Sequence, residues 1–248
     1  VNQLAEHVGR LVGPVLLDKV PRDHHEPDGA FRRRRIVVSG VTVVGAALLG
    51  ISLSQRPGSV AFYLFTTAVA ATWIIGGLAS GPLHLGWTAR PPHPGRAAAE
   101  PSSPAQRRPV LLPVLVGVAA FAVFGVGALV AREIGPVRAV VRSVLDFATY
   151  GSLPLVVLVT LVNGAAEEVF FRGALYAGIG ARHPVLISTA VYALATVPTR
   201  NPALVFAAVL LGLLLALQRR ATGGILAPVL THVTWSTLMV LLIPPLFA

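Results

Sequence analysis

Residues 164–173 read GAAEEVFFRG. They close an apolar run, about 151–172, that is long enough to enter a bilayer, and they set two adjacent glutamates and an arginine inside it. A charge at the bilayer centre costs at least ~2.5–3.5 kcal/mol even on the lenient insertion scale. The fold turns on whether this stretch is a soluble core helix or a membrane span, and the rest of the chain decides it. The 248 residues are 54% hydrophobic and only 12% charged, whereas soluble domains carry roughly 25% charged residues. Apolar windows of near-span length recur throughout. In lipid the backbone must satisfy its own polar groups, which leaves helices or a closed barrel. The apolar runs are continuous and lack the alternation of barrel strands, so helices are selected. The expected fold is all-α, a polytopic transmembrane helix bundle of about seven spans plus interfacial helices.

The spans are expected at about 36–55, 59–80, 109–131, 151–172, 184–198, 201–217 and 222–245. The fifth, bounded by Pro184 and Pro198, is short, which implies tilt, shelter by neighbours or a partly re-entrant path. Residues 1–20 carry apolar side chains at helical spacing and read as an interfacial helix kinked at Gly13-Pro14; a tail with local helix is the alternative. PRDHHEPDGA (21–30) reads as loop, with His24 and His25 in a solvated turn. FRRRR (31–35) reads as a basic stop before the first span, 81–108 as a flexible loop rich in Pro, Arg and Ala, and 134–149 as an amphipathic helix at the interface. Residues 1–31 carry mixed charge, unlike the start of a cleavable signal peptide. Three regions result: a cytoplasmic amphipathic tail (1–35), an N-terminal transmembrane region (36–150) and a C-terminal transmembrane core (151–248).

The net charge is +10, and nineteen of the twenty basic residues are arginine. These arginines flank apolar runs, as topology determinants do, without the aromatic interleaving of a nucleic-acid surface. The expected partners are therefore membrane lipid and a membrane-borne protein or peptide, with no nucleic acid. Eleven span-flanking arginines fall on the side of the N-terminus and five on the other, which puts the N-terminus in the cytoplasm; the cluster over 132–142 runs against that bias. The Arg, Ala, Val and Gly load suggests a GC-rich bacterial genome and hence the bacterial inner membrane. The absence of cysteine excludes disulfides, thiol catalysis and Cys-metal sites.

Of ten acidic residues only Glu167 and Glu168 fall within a span, and of seven histidines only His232 sits well inside an apolar run. Glu168 and Arg172 are i, i+4 with acid before base, the better order for an ion pair. Glu167 is rotated about 100° away and must face something else. A desolvated carboxylate without a close cation suits general-base work on water. A purely structural Glu–Arg clamp explains Glu168 and Arg172 but not Glu167. In THVTWS (231–236), His232 and Ser236 share a face. They could orient a water and serve an oxyanion, or simply tie two helices together. Tyr192 and Thr196 are again i, i+4, and a membrane-helix threonine usually bonds to its own backbone. Neither H-E-x-x-H nor G-x-S-x-G is present. Glu167 with His232 leaves a metal one ligand short, so no cofactor is expected.

EEVFFRGAL (167–175) contains Glu-Glu-x-x-x-Arg in full, and LGLLLALQRRATGGILAPVLTH (211–232) adds a Thr-Gly turn and a proline before His232. Over about residues 151–240 the chain resembles the CAAX-protease and bacteriocin-processing (Abi, CPBP) family of intramembrane proteases. The resemblance implies a glutamate-dependent endopeptidase. Glu167 would then activate water, Glu168 and Arg172 would form the supporting pair, and His232 would be the histidine of the last motif. Two positions depart from the family pattern. Thr196 stands where the second motif, Phe-x-x-x-His, has its histidine. Ser236 stands where the last motif has Asn or Asp. Losing an acid–base partner costs about 10²–10⁴ in rate. The alternative is a catalytically degenerate member that acts as a membrane-bound scaffold or regulator.

Overall fold

The structure is a computed structural model, and it describes residues 13–20, 27–87 and 108–247. Among these, all regular structure is helical. The main helices are α1 (Asp28–Leu53), α2 (Val60–Ser80), α3 (Leu111–Ala131), α4 (Gly135–Thr149), α5 (Leu153–Ile179), α6 (Pro184–Thr196), α7 (Pro202–Thr222) and α8 (Leu226–Leu242). Five of them, α1, α2, α3, α5 and α7, are long and apolar enough to cross a membrane; α6 and α8 are shorter apolar helices. The chain is a multi-pass membrane protein built as a helical bundle. Most of the expected interfacial helix over 1–20, the His24-His25 turn and most of the 81–108 loop lie outside the described residues; Gly13–Leu17 form one π-helical turn.

Two expected boundaries change, and one helix begins before its apolar run. The FRRRR run precedes the apolar part of the first span, as expected, but is already helical within α1. Arg34 is 2% exposed there and donates to the Pro82 carbonyl at 3.3 Å. The 222–245 span is a 17-residue helix, Leu226–Leu242, followed by a short 3-10 turn at Pro244–Leu246. The fourth span does not end at 172. It continues through a π-helical segment, Glu168–Leu175, to Ile179, where Gly180 turns the chain with φ +83°. At 1.5 Å per residue this places Glu167 about 21 Å from one end of α5 and about 18 Å from the other. The glutamates therefore sit in the middle of the helix.

Local chemistry explains the ends. Ser59 caps α2 by accepting from the Phe62 amide at 3.2 Å, and Asn201 caps α7 by accepting from the amides of Ala203 and Leu204. Pro184 and Pro202 occupy the first helical position, where a missing N–H costs nothing. α7 ends at Gly223 in a left-handed conformation. The core lies where α1, α2, α5 and α6 meet. Trp73 stacks within 4.7 Å of Phe170 and 5.0 Å of Phe171, and Phe171 lies 4.7 Å from Tyr192. Gly45 of α1 admits the indole: a Cβ there would stand 2.1 Å from Trp73 Cη2. This aromatic block fixes the rotation of α5 about its own axis and so decides which way its two glutamates point.

Candidate active site

The two glutamates diverge as their 100° separation requires. Glu168 is fully buried. Its Oε1 accepts from Arg172 Nη1 at 2.9 Å and pairs with His232 Nδ1 at 2.8 Å. One carboxylate oxygen thus joins two turns of α5 to α8. Glu168 Oε2 has no hydrogen-bond partner among the described residues. Arg172 is itself 1% exposed and reaches further. Its Nη2 donates to the Gly212 carbonyl of α7 at 3.1 Å, and its guanidinium lies 4.7 Å from the centre of the Tyr192 ring. Its own carbonyl accepts from Arg219 Nε at 2.8 Å. Gly212 leaves space for this, since a Cβ there would come within 3.1 Å of Tyr192 Cδ1 and 3.4 Å of Arg172 Nη2. The charges are buried but mutually paired, the condition under which buried ions are tolerated.

Glu167 is only partly buried and faces α6. Its Oε2 accepts from the Tyr192 hydroxyl at 2.5 Å. His232, Glu168 and Arg172 are its electrostatic neighbours. Tyr192, paired with Thr196 by spacing in the sequence, has no role of its own in that reading; unlike a phenylalanine it brings a hydroxyl onto an apolar helix. Its ring packs on Phe171 and under Arg172, which leaves the hydroxyl aimed at Glu167. The only signal in the sequence is that extra oxygen on an apolar helix.

The remaining expected site residues are placed differently. His232 makes its hydrogen bond with Glu168, not with Glu167. The acceptor is a carboxylate, so Nδ1 carries the proton of this bond. Ser236 lies one turn further along α8 and bonds its own helix, Oγ to the Val233 carbonyl at 3.3 Å. It faces Gly164, where a Cβ would stand 3.6 Å from both Ser236 Oγ and His232 Cδ2. A Cβ at that distance is in ordinary van der Waals contact, so α5 and α8 pack closely here without requiring a glycine. Thr196 Oγ1 donates to the Tyr192 carbonyl at 2.9 Å, a bond within its own helix and not to either glutamate. Among the described residues no three His, Cys, Asp or Glu groups could hold a metal ion together.

The site therefore holds a partly accessible carboxylate oriented by a phenol, beside a buried Arg–Glu–His chain. Residues 149–238, just over a third of the chain, match the family model described as type II CAAX prenyl endopeptidase Rce1-like. No curated protein and no solved structure matches the chain. The match contains every residue of the site, from Glu167 to Ser236, so over residues 149–238 this multi-pass membrane protein is similar to the Rce1-like type II CAAX prenyl endopeptidases.

Proposed function

We propose that the chain is an intramembrane endopeptidase that uses Glu167 as the base on water and cleaves a membrane-associated peptide or protein. The observation that carries this reading is the Tyr192–Glu167 hydrogen bond of 2.5 Å, midway along an apolar helix. A carboxylate kept at that depth and not neutralised by its own helix is costly unless it has work to do. Water donates one proton toward Glu167 and the other toward His232 Nε2, and its oxygen attacks the scissile carbonyl carbon. The proton taken by Glu167 passes to the leaving amine as the C–N bond breaks. Glu168 and Arg172 do not touch the reacting atoms. They hold the imidazole in the tautomer that accepts at Nε2.

In this reading Tyr192 compensates in part for the imidazole missing at Thr196, because it fixes the direction of the Glu167 carboxylate. The reading uses no cofactor: its chemistry rests on Glu167 and His232, which supply two metal donors rather than three. We place the chain in the bacterial inner membrane on its Arg, Ala, Val and Gly load, with the N-terminus in the cytoplasm on the arginine bias.

The scaffold reading has one observation in its favour. Thr196 and Ser236 both bond to their own backbones and offer nothing to a substrate. Purified wild-type and Glu167→Gln protein, reconstituted in liposomes, would be incubated with detergent-extracted membrane proteins and scored for new termini by mass spectrometry. The proposal expects termini with the wild type that are missing with Glu167→Gln. Identical sets would favour the scaffold.

A further inference from the structure

A second cluster of charge lies at the opposite end of the bundle from the Arg32–Arg35 run, where α3 ends, α5 begins and α8 ends. The amphipathic helix α4 is laid across this end and has no buried residue. It is pinned there by Asn201, whose Nδ2 donates to the Val140 carbonyl at 2.9 Å and to Ser143 Oγ at 3.0 Å. Nearby, the Tyr63 hydroxyl accepts from the Ser152 amide at 2.9 Å. Between α4 and the chain end lies a cavity of about 240 Å³ lined by Arg132, Glu133, Arg138, Arg142, Leu246 and Phe247. A second cavity, of about 360 Å³, shares Arg142 and Phe247 with the first. It extends along Leu145, Pro244 and Pro245.

The chemistry of the two cavities differs. The first sets three guanidinium groups against one carboxylate, and that carboxylate is paired with Arg132 at 2.9 Å. Arg138 is held in place through its Nε, which donates to the Arg132 carbonyl. Arg142 is exposed and has no hydrogen bond or ion pair among the described residues. The cavity thus has an excess of positive charge with guanidinium donors to spare, and guanidinium groups match phosphate oxygens in pairs. The second cavity is mostly apolar but also carries Asp146, Thr149 and Tyr150 beside Arg142, so its negative charge lies on the slot side and not in the cationic mouth. A cationic mouth continuous with an apolar slot, roofed by an interfacial helix, suits a ligand with an anionic head and a hydrocarbon tail. It also accounts for arginines on the side that the topology bias would leave poor in them.

We infer that the Arg132–Arg138–Arg142 cavity beneath α4 binds the phosphate headgroup of an anionic phospholipid, with the start of its acyl chains along Leu145 and Pro244–Pro245. The site stands apart from the Glu167 centre and does not rest on that centre being catalytic.

The test uses the full chain in neutral detergent. It would be titrated calorimetrically with dihexanoyl phosphatidylglycerol, dihexanoyl phosphatidylcholine and inorganic phosphate. One basic residue near an anionic lipid surface contributes about a five-fold preference, so two arginines predict about a thirty-fold preference for the glycerol over the choline lipid. Arg142→Gln should remove about five-fold of that preference, while Arg142→Lys retains most of it. Arg142 is exposed, so these variants should fold. Arg56→Gln, a change outside the cavity, should leave the preference intact. Equal affinity for both lipids, or an unchanged preference in Arg142→Gln, would overturn the site. Inorganic phosphate binding as tightly as phosphatidylglycerol would overturn the lipid assignment, because the apolar slot would then contribute nothing.

Discussion

The Tyr192 hydroxyl stands 2.5 Å from Glu167 Oε2 and joins α6 to the carboxylate that α5 leaves without an ion-pair partner of its own. Its neighbour Glu168 is bound by Arg172 and His232, so two adjacent identical residues have opposite environments. The difference follows from helical rotation and from the aromatic block of Trp73, Phe170 and Phe171 that sets it.

Tyr192→Phe removes the hydroxyl and keeps the ring on Phe171 and under Arg172. A hydrogen bond to a charged group is worth about 1.5–3 kcal/mol, which corresponds to a cleavage rate lowered ~10- to 100-fold. The folded yield should stay at the wild-type level, as checked by size-exclusion chromatography in detergent. A rate equal to wild type would show that Glu167 does not depend on the phenol.

Arg172→Ala has the opposite signature. It leaves Glu168 buried with only His232, strips a donor from the Gly212 carbonyl and empties the space beside Tyr192. Removing one partner of a buried ion pair costs about 3–5 kcal/mol, so the yield of folded protein should fall sharply. Glu167→Gln should fold normally. Equal yields from the two variants would contradict this division of roles.

Much of the architecture could be read from the chain, and the reason is physical. Lipid permits few backbone solutions, so apolar runs became helices close to their expected positions, and Glu168–Arg172 followed from i, i+4 spacing. The π-helical segment Glu168–Leu175 could not be read, because no residue propensity marks such a turn inside an apolar run. Nor could the Glu168–His232 bond, which joins residues 64 apart in sequence on two different helices, α5 and α8. Tyr192 was hidden for a different reason. Its ring satisfies the apolar pattern, and only a neighbouring helix reveals what the hydroxyl is for.

Thr196→Val should leave cleavage unchanged. Its hydroxyl is spent on the Tyr192 carbonyl of its own helix, and valine fills the same space. A large fall in rate would mean that Thr196 serves the reaction directly. Addition of EDTA should likewise leave the rate unchanged, and a loss that zinc restores would require a third ligand from elsewhere.

Gly45→Ala tests the frame behind the site. The added carbon would stand 2.1–2.5 Å from three atoms of the Trp73 ring, so α1 and α2 must separate. Overpacking of this kind costs about 1–3 kcal/mol. A lower melting temperature in detergent is expected, and an unchanged one would mean that the helices are not so closely packed.

The central claim is that Glu167 hydrolyses peptide bonds, and the most direct measurement is made in the host. The gene would be deleted, either wild type or Glu167→Gln restored at matched levels, and protein N-termini in the membrane fraction compared. The account predicts a set of termini present with wild type and absent with Glu167→Gln, which would also identify the substrates. Identical termini, with both versions rescuing the deletion phenotype, would contradict it and mark the chain as a binding protein built on a protease fold.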